Sequence, residues 1–265
     1  MSLPIALSVA GSDPSGGAGI QADLKTFAAH GVYGMAVITA LTAQNTRTVA
    51  GVLPIDSGFI RLQLATLLDD ILPGAIKVGM LGTADIAAAV AEALANFAGP
   101  IVVDPVMVST SGALLLDPAA ESALLGEVIP RATLLTPNLP EAERILGDES
   151  PAEWARRSGV ALLLKDGHND GRQVRDRLFL PDGAVLTFAH PRVLSRNTHG
   201  TGCTLSSAVA ARLSAGNSLP DAVHGAIQWL SEVIADSASH AIGGGHGPLL
   251  HGRGLRETSG RAPTG

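Results

Sequence analysis

The feature that most constrains this 265-residue chain is a repeated alternation of short apolar runs with amphipathic stretches, punctuated by glycine or proline. Ile5 to Ala10 is apolar and ends at Gly11, which predicts a buried strand. Ile20, Leu24 and Phe27 then recur at helical spacing, with Gln21 and Lys25 on another face, and Gly31 and Gly34 end that helix. Met35 to Leu41 supplies the next strand. Ile60, Leu64, Leu67 and Ile71 mark a second helix, closed by Pro73-Gly74 ahead of a strand at Ile76 to Val78. A third stripe, Ile86, Val90, Leu94 and Phe97, stops at Gly99-Pro100 before Ile101-Val102-Val103. Ala132 to Leu135 and Val160 to Leu164 continue the strands, and Ser150-Pro151-Ala152-Glu153 between them has the pattern of a capped helix start. Alternation of this kind predicts an α/β fold with a mainly parallel central sheet and helices on both faces. Arg175 to Leu180 and Ala184 to Phe188, joined by Pro181-Asp182-Gly183, instead predict a hairpin at the sheet's edge. Pro220 opens a long helix with Val223, Ile227, Leu230 and Ile234 on its apolar face. The expectation is one domain over residues 1–256 and a loose tail over 257–265.

Composition narrows the function. Hydrophobic residues make up 46% and aromatics only 3%, so small and branched aliphatic side chains must fill the core. A formal charge of −6, without a basic tract interleaved with aromatics, argues against a nucleic-acid partner. Cys203 is the single cysteine, which excludes an intrachain disulfide framework and a multi-cysteine zinc site. Met1-Ser2-Leu3-Pro4 lacks the charged region and cleavage site of a signal peptide, and glycine, proline or charge interrupts every apolar run. A cytoplasmic location without membrane contact is expected.

In an open parallel sheet, ligands gather beyond the carboxyl ends of the strands. Five segments fall there: Gly11 through Gly19, Asp104-Pro105-Val106-Met107, Thr136 through Glu141, Lys165-Asp166-Gly167-His168, and Asn197 through Thr204. In the last, Gly200 and Gly202 allow close backbone approach. Leu205, Ala208, Val209 and Leu213 announce a helix, whose free N–H groups would hold an anion. An ordinary glycine-rich turn around a buried cysteine is the competing reading. At a helix N-terminus beside two threonines, thiolate formation by Cys203 is expected to be favoured. The Gly11 segment is neither a Walker A loop nor a dinucleotide fingerprint, because the Gly-Lys-Ser/Thr and the second spaced glycine are missing. Asp104 reads either as an organiser of metal-bound water or as a cap. Asn138 and Glu141, three apart at a helix start, read either as metal and phosphate organisers or as a capping pair. Lys165 leaves an apolar strand where it can neutralise a transferring phosphate or make a salt bridge. His168 and His199 lack metal-ligand spacing and read as loop hydrogen-bonding or substrate-lid residues.

On these segments the chain resembles the hydroxymethylpyrimidine and phosphomethylpyrimidine kinases of thiamine biosynthesis, within the ribokinase-like superfamily. The resemblance runs collinearly from residue 5 to about residue 240. It is carried by Ala10 through Lys25, Thr39 through Thr46, Val78-Gly79-Met80-Leu81, Asp104 through Met107, Leu135 through Glu143, and Asn197 through Thr204. It implies a ribokinase-like three-layer sandwich and a homodimer. The implied activity uses ATP and Mg²⁺ to phosphorylate 4-amino-5-hydroxymethyl-2-methylpyrimidine to its monophosphate and then its diphosphate. A pyrimidine site at Gly11, Ala18, Asp23, Gln44, Met80 and Val106 is implied, with Gln44 bonding the aminopyrimidine edge and Met80 against the ring. Cys203 matches the family's catalytic base, with an anion hole at Gly200, Thr201, Gly202 and Cys203. Lys165 is implied as the charge on the transferring phosphate, and Asp104, Asn138 and Glu141 as organisers of metal and phosphate. Asp166 departs from the pattern, standing where the family more often has glycine, and Arg196 occupies a position that looks variable.

Two other functions remain open on the sequence: a pyridoxine, pyridoxal or pyridoxamine kinase, whose substrates are also flat heteroaromatic alcohols, and a non-catalytic nucleotide-binding sensor. Asp104, Lys165 and Cys203 argue against the sensor.

Overall fold

The computed structural model describes residues 3–107, 118–166 and 171–252. His168 and the expected tail from Glu257 lie outside the described residues.

Nine strands form one sheet in the order β3-β2-β1-β4-β5-β6-β7-β8-β9. They are β1 (Ile5–Ser12), β2 (Tyr33–Gln44), β3 (Val49–Pro54), β4 (Ala75–Val78), β5 (Ile101–Val103), β6 (Leu134–Leu135), β7 (Ala161–Leu164), β8 (Gln173–Phe179) and β9 (Val185–Pro191). The six strands β2-β1-β4-β5-β6-β7 are parallel throughout. The expected hairpin, β8 and β9, adds antiparallel strands at one edge. The opposite edge carries a strand the apolar pattern did not announce: β3, antiparallel to β2. Asn45 turns the chain into it, its side-chain oxygen accepting from the N–H groups of Arg47 and Thr48.

Helices cover both faces, as the alternation requires. One layer holds α1 (Gly19–Ala29), α7 (Thr201–Ser214) and α8 (Leu219–Ser237), whose Phe27, Leu205, Val209, Val223 and Ile227 pack on Ala6, Ala75, Val102 and Leu134. The other layer holds α2 (Ser57–Asp70), α3 (Ala84–Leu94), α4 (Pro118–Ala123), α5 (Leu139–Leu146) and α6 (Pro151–Ser158). A π-helical turn at Leu124–Val128 and a 3-10 turn at Ile129–Arg131 follow α4. This layer buries Leu7, Val9, Ile76, Val78, Ile101 and Val103 against Ile60, Leu64, Ile86, Val90 and Trp154. Successive strand residues face opposite layers, which is why each central strand is apolar on both sides. Among the described residues no helix is long and apolar enough to cross a membrane.

One polar pair interrupts this core. Lys77 on β4 points into the α1/α7 layer, where its ammonium donates to both oxygens of Asp23 on α1 at 3.0 and 2.9 Å. Ser8 of β1 and Ser207 of α7 donate to the same carboxylate at 2.5 and 2.7 Å. Both charged side chains are 0% exposed. Burial alone would lower the Lys77 ammonium, but Asp23 beside it raises it above its ordinary value, so it stays charged. Ion pairs without solvent survive when every lone pair is satisfied and fail when one partner is removed. Lys77→Met is therefore expected to lower stability by about 3–5 kcal/mol in urea unfolding. The double change Lys77→Met with Asp23→Leu is expected to recover at least half of that loss, whereas no recovery would mean the pair contributes nothing as a pair.

Candidate active site

The chain order reverses direction across the sheet between β1 and β4: β2 and β3 lie to one side, β5 onward to the other. A crevice forms at such a switch point, outside the carboxyl ends of the strands. Four of the five segments singled out in the sequence follow β1, β5, β6 and β7, and the fifth leads into α7.

The loop after β1 folds around Asp13. Its carboxylate accepts from the N–H and hydroxyl of Ser15 at 2.8 and 2.9 Å, and from the N–H groups of Gly17 and Ala18 at 3.2 and 2.9 Å. His199, just ahead of α7, donates through Nε2 to the same carboxylate at 2.8 Å. Burial alone would raise the Asp13 carboxyl, but the hydrogen bonds from His199 and Ser15 hold it down at about 2. Position 200 requires glycine twice over. Its φ is +81°, and a Cβ there would run into the Gly17 carbonyl oxygen. The glycine loop and the α7 start therefore touch, although they are far apart in the sequence. Gly11 lies against Met80, whose sulfur would sit 3.1 Å from a Cβ at position 11. Thr39 fixes the Met80 backbone by donating to its carbonyl at 2.6 Å. Gln44, at the end of β2, is half-buried and reaches His199 at 3.5 Å. The expected ring contacts Gly11, Ala18, Gln44 and Met80 are thus linked around these two loops. Val106 is half-buried and belongs to the loop that follows β5.

Asp23 corrects the expectation of a ligand-facing carboxylate. It is fully enclosed, both oxygens engaged by Lys77, Ser8 and Ser207, and so it supports the floor rather than lining it.

The charged group lies on the other side of α7's first turn. Lys165 donates to Asp104 Oδ1 at 3.1 Å, and Thr136 donates to the same oxygen at 3.2 Å. A Cβ on Gly202 would lie 3.4 Å from Asp104 Oδ2 and 3.5 Å from Lys165 Nζ, so the helix start faces both. Burial alone would lower the Lys165 ammonium, but Asp104 and Glu141 raise it. For Glu141, burial raises the carboxyl, Asp104 adds to that and Lys165 opposes it. The N–H groups of Gly202 and Cys203 have no acceptor among the described residues, as an anion hole requires, whereas that of Thr201 reaches Thr198 at 3.3 Å.

Asn138 and Glu141 do form a capping box at the start of α5. The Asn138 side chain accepts from the Glu141 N–H at 2.9 Å, and Glu141 accepts from the Asn138 N–H at 2.9 Å. Glu141 also takes a backbone hydrogen bond from Met107. Direct ligation of a metal by this pair is therefore not what their hydrogen bonds favour. No group of three or more His, Cys, Asp or Glu suited to hold a metal occurs among the described residues. Asp104 and Glu141 still fit Mg²⁺, which commonly takes one or two carboxylates, often through water, and completes its shell on substrate phosphates.

Cys203, half-buried in α7, departs from expectation in its charge. Burial pushes the thiol up to about 11, with Asp23 and Asp104 adding to the rise, and Lys77 and a backbone hydrogen bond from Gly19 opposing it. Burial and these carboxylates outweigh what the helix start would do for the thiolate. Asp166 is half-buried and its N–H donates to Asp176 at 2.9 Å, tying the β7 exit to the edge hairpin. Arg196 is exposed. The sequence reading missed Lys77 and underrated Asp13 and His199. A lone lysine within Ala75-Ile76-Lys77-Val78 was the available signal for the first.

A family profile described as phosphomethylpyrimidine kinase matches residues 13–250. The chain is 46% identical over 257 residues to the hydroxymethylpyrimidine/phosphomethylpyrimidine kinase of Rhizobium meliloti (strain 1021), covering 93% of this chain and 96% of that one. The phosphomethylpyrimidine kinase structure from Clostridium difficile 630 superposes with a TM-score of 0.75 at 39% identity, covering 87% of this chain and 99% of that chain. The pyridoxal kinase of Staphylococcus aureus, in complex with ADP, gives a TM-score of 0.85 at 32% identity, covering 97% and 96%. Shape thus matches the pyridoxal kinase more fully, while sequence favours the pyrimidine kinases.

Because the thiol is held protonated, alkylation of Cys203 by iodoacetamide at pH 8 is expected to be roughly a hundredfold slower in the folded protein than in urea, since only the thiolate reacts. Equal rates would show that the site does not suppress ionisation. The fold, the matched profile and the collinear motifs together establish that this chain belongs to the hydroxymethylpyrimidine/phosphomethylpyrimidine kinase family of the ribokinase-like superfamily.

Proposed function

We propose that the chain is a bifunctional kinase, phosphorylating the hydroxymethyl group of 4-amino-5-hydroxymethyl-2-methylpyrimidine with ATP and then phosphorylating the monophosphate to the diphosphate. ATP-dependent formation of the monophosphate, a step of thiamine biosynthesis, is the activity of the family to which it belongs. One observation carries the reading: α7's first turn opens toward Asp104 and Lys165 on one side and abuts the glycine loop beside Gln44 and Met80 on the other. A flat ring held by Gly11, Ala18, Gln44, Met80 and Val106 would then direct its alcohol at a terminal phosphate lying over the helix start.

The roles follow from charge and direction. The N–H groups of Gly202 and Cys203, without an acceptor among the described residues, would offer fixed dipoles to the negative charge on the transferring group, with Gly200 and Thr201 shaping the turn. Lys165 supplies a neighbouring positive charge. Asp104 and Glu141, with Asn138 fixing Glu141's backbone, would hold Mg²⁺ through water, and the ion would supply charge neutralisation on the phosphates. Cys203 takes the proton of the hydroxymethyl group. Since its thiol is protonated at rest, this work falls to a small thiolate fraction of high basicity.

The two transfers need that base unequally. An alcohol must lose its proton, whereas a phosphate monoester is already mostly dianionic above a second pKa of about 6. In a magnesium–ATP assay resolving both products, wild type is expected to form monophosphate and then diphosphate. Cys203→Ala is expected to slow the first transfer at least tenfold more than the second. Equal losses in both would assign Cys203 to packing or the anion hole. The fuller superposition on a pyridoxal kinase favours a second activity on pyridoxal, tested in parallel. Efficient pyridoxal turnover without pyrimidine turnover would overturn the substrate assignment.

A cytoplasmic homodimer is part of the same reading. Leu41 and Leu53 face each other across β2 and β3 at the sheet's edge, 43% and 63% exposed, an apolar edge of the kind proteins cover by pairing. Leu53→Lys is expected to weaken the dimer about tenfold or more by light scattering across a dilution series. An unchanged association would move the interface elsewhere.

A further inference from the structure

The first turn of α7 is held from behind. His251, 3% exposed, places its Nε2 2.9 Å from the hydroxyl of Thr204, which is fully buried. Thr204 gives its own hydroxyl hydrogen to the Gly200 carbonyl at 2.8 Å, and its N–H reaches the same carbonyl at 2.9 Å. A carbonyl oxygen has two lone pairs and takes both. The Thr204 hydroxyl oxygen is then left as an acceptor, so the hydrogen between the two side chains belongs to His251 Nε2. His251, Thr204 and Gly200 thus close the turn that carries the Gly202 and Cys203 N–H groups, which have no acceptor among the described residues.

His251 lies 47 positions beyond Thr204, and the segment that brings it there is fastened at several points. The Gly245 N–H donates to Thr46 Oγ1 at 3.2 Å, at the turn into β3. Gly247 donates its N–H to the Arg196 carbonyl at 3.3 Å, and its carbonyl accepts from the His199 N–H at 3.1 Å. Pro248 lies against Gly17, where a Cβ would come within 2.9 Å of the Pro248 Cβ. The Leu250 N–H donates to Ser237 Oγ at 2.9 Å. Residues 245–251 therefore form a strap from the turn into β3 to the first turn of α7. That turn has reason to need outside support. Glycines at 200 and 202 give its backbone a freedom that other residues would not.

We propose that His251 is a positioning residue for phosphoryl transfer: through Thr204 it fixes the α7 turn whose Gly202 and Cys203 N–H groups receive the transferring group. The inference rests on the reading of that turn as the anion hole. Backbone donors stabilise developing charge only when they are in place before the reaction, and a misplacement of about 1 Å can cost on the order of a hundredfold in rate. His251 acts on the donors and not on the ring, so its contribution is to rate rather than to pyrimidine binding. It serves both transfers alike, because each passes the same phosphoryl group over the same turn. Cys203, as the base, is needed unequally, and this separates the two roles.

The test is the single-turnover rate of each transfer with magnesium–ATP. His251→Leu and Thr204→Val are each expected to slow both transfers about tenfold, by equal factors and with the KM of each pyrimidine unchanged. His251→Gln, whose amide nitrogen can take the place of Nε2, is expected to recover most of the rate. In a Thr204→Val background, His251→Leu is expected to have no further effect. Thr204→Val carries the test if His251→Leu does not fold. Unchanged rates, a loss confined to KM or to the first transfer, or a loss that His251→Gln does not recover would overturn the positioning role. A second measurement separates that role from the anion hole itself. ADP, fluoroaluminate and the pyrimidine alcohol together mimic the transferring group. Wild type is expected to bind this mimic about tenfold more tightly than His251→Leu does, with equal affinity for ADP alone. Equal binding of the mimic by both would overturn the role of His251 and leave the anion hole standing. Wild type binding the mimic no more tightly than ADP would remove the anion hole and the inference together.

Discussion

The glycine loop and the start of α7 can meet only because position 200 has no Cβ. A side chain there would collide with the Gly17 carbonyl, and the backbone at that point adopts a φ that L-residues avoid. What this contact controls is larger than a turn. It sets how close the end of β2, with Gln44, comes to the helix start that carries Cys203. It also seats His199 against Asp13, so that a loop following the first strand and a loop preceding the seventh helix share one carboxylate. With a larger residue at 200 the two halves of the site would separate, however well each half folded.

Charge in this protein is concentrated where water is scarce. Asp23–Lys77 lies entirely inside the α1/α7 layer, and Asp104–Lys165 lies at its rim. The two pairs are not equivalent. The inner one is saturated by two serines and couples β1, β4, α1 and α7 mechanically. The outer one leaves Lys165 15% exposed and faces the open end of a helix, so it can respond to an incoming anion. Cys203 sits between these fields, and its protonated state reflects burial first, with Lys77 opposing it and Asp23 and Asp104 adding to it.

The parts of the site that were legible in the sequence are those carried by local pattern. Gly200-Thr201-Gly202 before an apolar helix, Asp104 after Ile101-Val102-Val103, and Lys165 after Ala161 through Leu164 each announce a strand or helix end with chemistry on it. The central strands and the β8–β9 hairpin were legible for the same reason. β3 was not, because Val49–Pro54 contains Gly51, is mostly exposed and gains its identity only from pairing with β2. Asp23 was misread because a motif names a residue without saying which way it points. Its spacing of four from Phe27 puts both on the buried face of α1. The Lys77 and His199 partnerships join residues 54 and 186 positions apart, and nothing local encodes such contacts.

The protonated state of the Cys203 thiol has a consequence for durability. Peroxides attack thiolates far faster than thiols, and the first product, a sulfenic acid, leads on to irreversible acids. A helix-start cysteine with an ordinary or depressed acidity would expose this chain's single thiol to that chemistry. Burial, reinforced by Asp23 and Asp104, keeps the group as the thiol and so in the form that reacts slowly with peroxide.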